Sequence, residues 1–383
     1  MRTFTAALGG TAITFASKPG LPHWDALSPA SELLAETAEL SSATRVQVMG
    51  SGHGALAAFV AARVGEGRVR VSDLTTLALD ATEKTLQMNG FRKAEVAREI
   101  ALTPEAVGTF DTVLIELPKG RKLIRRWLLE AHLALKPGGT LYLAGANDEG
   151  IQPAIADAAA LFGGATQLGY RRRHRVAQMD RLTLPPPAPD WASTPGIAPH
   201  TWHELEVEHG GTRYALRSLP GVFSYDRLDD GTALLLSHFP EVSATRVLDF
   251  GCGYGILGIW AAHRGSGPVD LVDINVLAAA SARENLALHG LQHAQVFAGD
   301  GLEPVRGRRY DLILANLPFH VGKAVDLSAA ETLIREAKTV LAPGGRMVVV
   351  TNSFIRHDAL LRKTFPHFRT VADNRRYRIV SVE

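Results

Sequence analysis

The chain repeats itself. VQVMGSGHGAL around Gly50 returns as VLDFGCGYGIL around Gly251, so Gly50, Gly52 and Gly54 match Gly251, Gly253 and Gly255. Leu77, Ala78, Leu86 and Gly90 match Leu277, Ala278, Leu286 and Gly290. FDTVLIELP at 110–118 matches YDLILANLP at 310–318, and LKPGGTLYLAG near Gly138 returns as LAPGGRMVVVT near Gly344. Four matches in the same order, about 200 residues apart, mark one domain used twice rather than a solenoid of short units. The 383 residues therefore hold two copies of a domain of about 190 residues.

Each copy alternates strand and helix signals. In the second, RVLDFG runs into a glycine turn, ILGIWAAH reads as a helix, PVDLVDI as a strand, and LAAASARENLALHG as a helix closed by Gly290. AQVFAGD and YDLILAN are further strands, ETLIREAKTVLAPGG a helix ending in a Pro-Gly-Gly turn, and RMVVVTN a buried strand. This alternation predicts an α/β fold, a parallel sheet with helices on both faces, in two tandem Rossmann-like domains. Ligands on such sheets bind at the carboxyl ends of the strands, where strand order reverses. The proline-rich run PPPAPDWASTPG at 185–196 predicts a stiff, extended connection, dividing the chain into 1–185, a linker at 186–196 and 197–383. HELEVEHGGTRYALRSLPG then alternates apolar and polar residues around Gly210-Gly211, a hairpin signal placed to cover the second site.

Composition narrows the function. Apolar residues make up 46% and charged residues 21%, an ordinary globular balance. No run approaches 18 consecutive apolar residues, so no membrane partner is expected, and the N-terminus lacks the apolar core of a signal peptide. The single cysteine, Cys252, fits a cytoplasmic setting, and inside the glycine loop it reads as a packing residue. The 14 histidines show no metal-ligand spacing, so no metal is expected. A net charge of +2 excludes a tail-driven nucleic-acid binder, leaving any RNA contact to local patches.

The chemistry concentrates in the second copy. Gly251, Gly253 and Gly255 form a loop that lets backbone approach a ligand, as dinucleotide enzymes also do. Asp249 ends the preceding strand, and an acid there suits an ammonium better than a pyrophosphate. Asp273, with Ile274 beside it, ends the next strand, where a carboxylate can accept ribose hydroxyls. Asp300 ends the strand after that and can bond an adenine amino group. Any one of these acids could equally be a turn former or helix cap, but three at successive strand ends favour a ligand site. Asp229-Asp230-Gly231-Thr232 precedes the helix ALLLSHF, which makes Gly231 and Thr232 either cofactor contacts or a plain N-cap. Asn316-Leu317-Pro318-Phe319-His320 closes the fourth strand.

Asn316-Leu-Pro-Phe resembles the N-P-P-[FYW] signature of S-adenosylmethionine-dependent methyltransferases that modify planar amino groups. The degenerate first copy, and a segment like LPGVFS (219–224) ahead of LDDGTALLLS, resemble more closely the bacterial ribosomal RNA guanine-N2 methyltransferases of the RsmC and RlmG kind. The resemblance implies S-adenosylmethionine as cofactor, ribosomal RNA or the small ribosomal subunit as partner, and a monomer. It implies that Asn316 and the carbonyl of Leu317 accept the two N–H bonds of the amine, Pro318 stiffens the loop, Phe319 stacks on the flipped base and His320 touches base or phosphate. The family has proline where this chain has Leu317, which keeps the carbonyl and loses the φ restraint.

In the first copy Val48 replaces Asp249, Glu116 replaces Asn316 and Lys119 replaces Phe319, while Asp73 roughly matches Asp273. That copy reads as non-catalytic. Two cation runs, Lys119, Arg121, Lys122, Arg125 and Arg126, then Arg171, Arg172 and Arg173, are candidate phosphate contacts or else solvated faces. The leading reading is methyl transfer to the N2 amine of a 16S guanine. A 23S guanine, an adenine N6 or a glutamine amide presents the same sp² NH₂. A nicotinamide oxidoreductase is opposed by Asp249, and a non-catalytic RNA scaffold is favoured only by Leu317.

Overall fold

A computed structural model describes residues 1–238, 246–265, 267–317, 328–355 and 357–383, with the side chains of 328 and 329 excepted. The chain forms two compact units, Met1–Thr201 and Trp202–Glu383.

The first unit opens with a hairpin, β1 (Arg2–Leu8) and β2 (Thr11–Ser17). It continues as α1 (Pro29–Thr37), β3 (Val46–Met49), α2 (Ala55–Val64), β4 (Val69–Ser72), α3 (Thr76–Met88), β5 (Glu95–Ala97), β6 (Phe110–Glu116), α4 (Arg121–Ala134), β7 (Leu135–Ala146), α5 (Ile151–Phe162), β8 (Thr166–Arg171) and β9 (His174–Asp180). The second unit repeats this plan: hairpin β10 (His203–His209) and β11 (Thr212–Ser218), α6 (Asp230–Ser237), β12 (Val247–Phe250), α7 (Ile256–Arg264), β13 (Val269–Asp273), α8 (Val276–Leu288), β14 (Ala294–Ala298), β15 (Tyr310–Asn316), α9 (Ser328–Glu336), β16 (Leu341–Asn352), α10 (Asp358–Thr364), β17 (Phe368–Asp373) and β18 (Tyr377–Val382).

The two sheets share one strand order, β5-β4-β3-β6-β7-β9-β8 and β14-β13-β12-β15-β16-β18-β17. The central strands VLDF and LILA are buried on both faces, and so they are almost continuously apolar. The chain runs from β12 outward to β14, then returns to lay β15 against the other side of β12. That reversal opens a crevice between the carboxyl ends of β12 and β15, and it is there that the glycine loop and Asn316 emerge.

The sheets differ from the expected all-parallel form. β9 and β8, like β18 and β17, run antiparallel at one edge. The expected helix at 331–345 is also shorter: α9 stops at Glu336, and LAPGG belongs to β16. The hairpin is not an addition to the second copy, since β1–β2 is its counterpart. SKPG at 17–20 against SLPG at 218–221 was the signal for this longer repeat. The proline-rich run at 185–196 lies within the first unit and packs on it. A short 3₁₀ turn forms at Asp190–Ser193, the Arg125 guanidinium sits 5.1 Å from the Trp191 ring centre, and Arg126 Nη1 donates to Gly196 O at 3.1 Å.

Candidate active site

The glycine loop of the second unit is built from backbone that side chains rarely tolerate. Gly251, Gly253 and Gly255 have φ of +68°, +56° and +92°. A Cβ at Gly255 would press on Ala282 and Leu271 at 3.2 Å, whereas one at Gly251 would meet nothing within 4 Å. The first glycine therefore borders open space, and the third lets α8 pack closely.

Two acids brace this loop. Asp273, at the end of β13, accepts Gly253 N at 2.8 Å on Oδ2 and Asn275 N at 2.9 Å on Oδ1. Burial pushes its carboxyl up to about 6. Asp249 is 1% exposed on β12. Its Oδ2 accepts Gly258 N, in the first turn of α7, at 2.8 Å, but its buried Oδ1 has no partner. Burial, with a smaller contribution from the charge of Asp273, raises it to about 7. A buried acceptor without a donor costs free energy until something supplies one. Cys252 is buried, its thiol is pushed well up by burial, and its Sγ donates to Gly253 O, so it packs and does not react.

A cleft runs along the loop, lined by Gly251–Tyr254, Phe223, Ser224, Asp229, Thr232 and Asn316. Asn316 Nδ2 donates to Asp229 Oδ2 and to Thr232 Oγ1, each at 2.9 Å. Asp229 is the N-cap of α6, accepting Gly231 N and Thr232 N on the same Oδ2 at 2.9 and 3.1 Å. Leu317 is buried in the core cluster over β15 and β16, and its N–H donates to Val350 O at 3.0 Å. A proline there could not make that bond, so leucine extends the β15–β16 ladder by one bond.

The cleft thus gathers Thr232, Gly251, Gly253 and Asn316 from the expected residues. Gly231, Asp249, Gly255, Asp273 and Ile274 stand behind it rather than on its lining. Gly231 serves packing, since a Cβ there would meet the Tyr377 ring at 3.1 Å. Asp300 lies two residues beyond the end of β14 and is not on the lining either. Asp249 and Asp273 brace backbone N–H groups as well as lying on or ending strands. Pro318, Phe319 and His320 lie outside the described residues. The sequence reading did not single out Asp229 as the partner of Asn316, nor Phe223, which is 62% exposed beside the loop. A roomier cleft bordered by Arg246, Asp270, His293 and Arg308 opens at the amino ends of the strands, away from the loop. Its acid, Asp270, is taken by Arg308 at 2.8 Å and by the Tyr310 hydroxyl at 2.6 Å, so it is not the chemical centre.

In the first unit Val48 is fully buried where Asp249 stands in the second. Glu116 Oε2 accepts a bond from Ser31 Oγ at 2.6 Å, and burial raises its carboxyl. Most cations of the two runs have partners within the chain, although the Arg121 and Arg172 side chains remain exposed. Arg121 and Arg125 both chelate Asp157, with four contacts at 2.9 Å. Arg126 is 3% exposed and bound to Gly196 O, Ile100 O and Glu130, so it is no RNA contact. Arg171 pairs with Glu36 at 2.9 Å and Glu32 at 3.2 Å, and Arg172 meets Glu32 at 3.5 Å. Lys119, Lys122 and Arg173 are exposed.

The sequence matches the model of the methyltransferase small domain family twice, over residues 12–178 and 213–381. Ribosomal RNA small subunit methyltransferase C of Stutzerimonas stutzeri is 38% identical over 71% of this chain and 79% of its own. The protein of that name from Pseudomonas entomophila is 38% identical over 70% and 78%. A solved structure of the T. thermophilus 16S rRNA N2 G1207 methyltransferase (RsmC), in complex with AdoMet and guanosine, covers 100% of this chain and 98% of its own, at 28% identity and a TM-score of 0.80.

Proposed function

This chain belongs to the methyltransferase small domain family, among the ribosomal RNA small subunit methyltransferase C proteins, and on that premise we propose that it methylates the N2 amine of a guanine in 16S ribosomal RNA. The second unit does the chemistry and the first is a non-catalytic copy. S-adenosylmethionine is the cofactor, and the site fits it: Asp249 offers a buried acceptor with no partner, open space borders Gly251, and Asp273 stands at the next strand end. Asp249 and the loop backbone would hold its charged amino-acid end, and Asp273 its ribose. When bound, it supplies a sulfonium methyl, whose carbon bonds the amine nitrogen while the electron pair of the broken C–S bond leaves with sulfur.

The observation that carries the reading is Asn316. It closes β15 beside the glycine loop with its amide nitrogen already committed, leaving Oδ1 as the group open to a ligand. A guanine N2 is a poor nucleophile because its lone pair is delocalised into the ring. Oδ1 accepts one amine N–H, the Leu317 carbonyl accepts the other, and both bonds strengthen as positive charge develops on nitrogen. The extra proton then passes to water, so no strong general base is required. Phe319 supplies a stacking face for the extruded base. No described helix is long and apolar enough to cross a membrane. We take the enzyme to be a cytoplasmic monomer that needs no metal.

The test is to incubate ribosomal RNA and small subunits with cofactor labelled on its methyl group, then digest and map the product. Label in N2-methylguanine of 16S RNA is the expected result. Label only in 23S RNA, adenine or protein would overturn the assignment.

A further inference from the structure

We infer that Asp229 and Thr232 are positioning residues that decide which end of the Asn316 amide meets the substrate. This rests on the function proposed above. An asparagine amide has a donor end and an acceptor end, and half a turn about its last torsion exchanges them. Only one setting suits this site. Nδ2 carries two N–H groups, and both are taken, by Asp229 Oδ2 and Thr232 Oγ1. A carboxylate can only accept. The flipped amide would set Oδ1 against Asp229 Oδ2, lone pair facing lone pair, while leaving Nδ2 toward the cleft.

Asp229 is itself held. Its Oδ2 takes the first free N–H groups of α6, at Gly231 and Thr232. Helix cap and strand-end amide are therefore one locked unit, although 87 residues separate them. The lock has a consequence for substrate choice. A site that shows only an acceptor selects a target atom bearing hydrogens, an amine, and disfavours ring nitrogens and carbonyls, which would face Oδ1 with a lone pair.

Asp229→Gly tests this with little loss of the cap, because glycine is tolerated at a helix N-cap nearly as well as aspartate. The Asn316 amide then loses its carboxylate acceptor, so the Asn316 side chain loses its single setting. We expect kcat on 16S RNA to fall about 100-fold, the scale of a misplaced reacting group, with KM for RNA and affinity for S-adenosylhomocysteine unchanged. Asn316→Asp alone should lose as much, because it opposes two carboxylates. Asp229→Asn, whose one oxygen can take the place of Oδ2 and hold the cap and Asn316 Nδ2 together, should recover most of the kcat lost in Asp229→Gly. Thr232→Val removes one acceptor at constant shape and should lower kcat about tenfold, with Thr232→Ser restoring it. Full kcat in Asp229→Gly with normal cofactor binding, or an Asp229→Asn variant no better than Asp229→Gly, would overturn the inference. A wild-type protein that methylates no guanine defeats the proposed function instead, and this inference with it.

Discussion

The two units place the same elements around the same position and fill it with opposite polarity. In the second, the cap of α6 supplies acceptors, Asp229 and Thr232, and the strand end supplies an amide donor, Asn316. In the first, the direction is reversed: Ser31, in the first turn of α1, donates a hydroxyl to the carboxylate of Glu116 at the strand end. Both pairs satisfy their polar groups, so both serve the fold. Only the second puts a neutral amide, Asn316, on the lining of a cleft beside the glycine loop. The glycine loops teach the same lesson. Gly50, Gly52 and Gly54 keep φ of +81°, +54° and +81°, and Asp73 Oδ2 accepts Gly52 N at 3.0 Å just as Asp273 accepts Gly253 N. The loop and its second acid are thus retained by folding. What separates the units is Asp249 against Val48, and Asn316 against Glu116.

Asn316→Ala should break this difference most severely, lowering transfer about a thousandfold while calorimetry still detects S-adenosylhomocysteine. Next, Asp249→Val installs the first unit's residue. It should weaken that ligand about 30-fold or more, because a buried partner for its ammonium is lost. The same carboxylate predicts a pH dependence. Its folded pKa, about 7, lies above the unfolded value, so burial favours the protonated form. Its contribution to apo stability is therefore fully present at low pH and is lost as pH rises through about 7. Ligand affinity has the opposite slope, since the ammonium needs the ionised form. Calorimetry from pH 5 to 8 should show affinity rising by about 90-fold, and Asp249→Asn should flatten that rise. Leu317→Pro restores the family motif at the expense of the Leu317 N–H to Val350 O bond. Denaturant melts should show a loss of about 1–3 kcal/mol. The smallest effect is expected in the first unit. Arg171→Ala, already paired with Glu32 and Glu36, should leave the salt dependence of RNA binding unchanged, where a true phosphate contact would reduce its slope by about 1.

Much of the fold was legible because hydrophobic runs and glycine turns are local signals. VLDF followed by Gly251, and LILAN followed by Leu317, read as strands, and they are. The antiparallel pairing escaped notice, since FRTVAD is a partly exposed edge strand with interleaved charges and YRIVSV carries Arg378 within an otherwise mostly apolar, buried strand. The pairing of the cation runs was hidden for a different reason. Arg121 and Arg125 take Asp157 as partner, more than 30 residues along the chain, and no sequence window shows such a pair.

By itself the sequence determined that one domain is used twice, where its strands turn over glycine, and that only one copy keeps Asp249 and Asn316. These follow from composition and order along the chain. Tertiary structure alone decided that the Asn316 amide nitrogen is held by Asp229 and Thr232, that Asp249 keeps an unpartnered oxygen, and that Arg126 is buried against Gly196 O and Ile100 O. The reason is that hydrogen bonds between side chains depend on which elements the sheet order brings together, and a helix cap meets a strand end only once the sheet has formed.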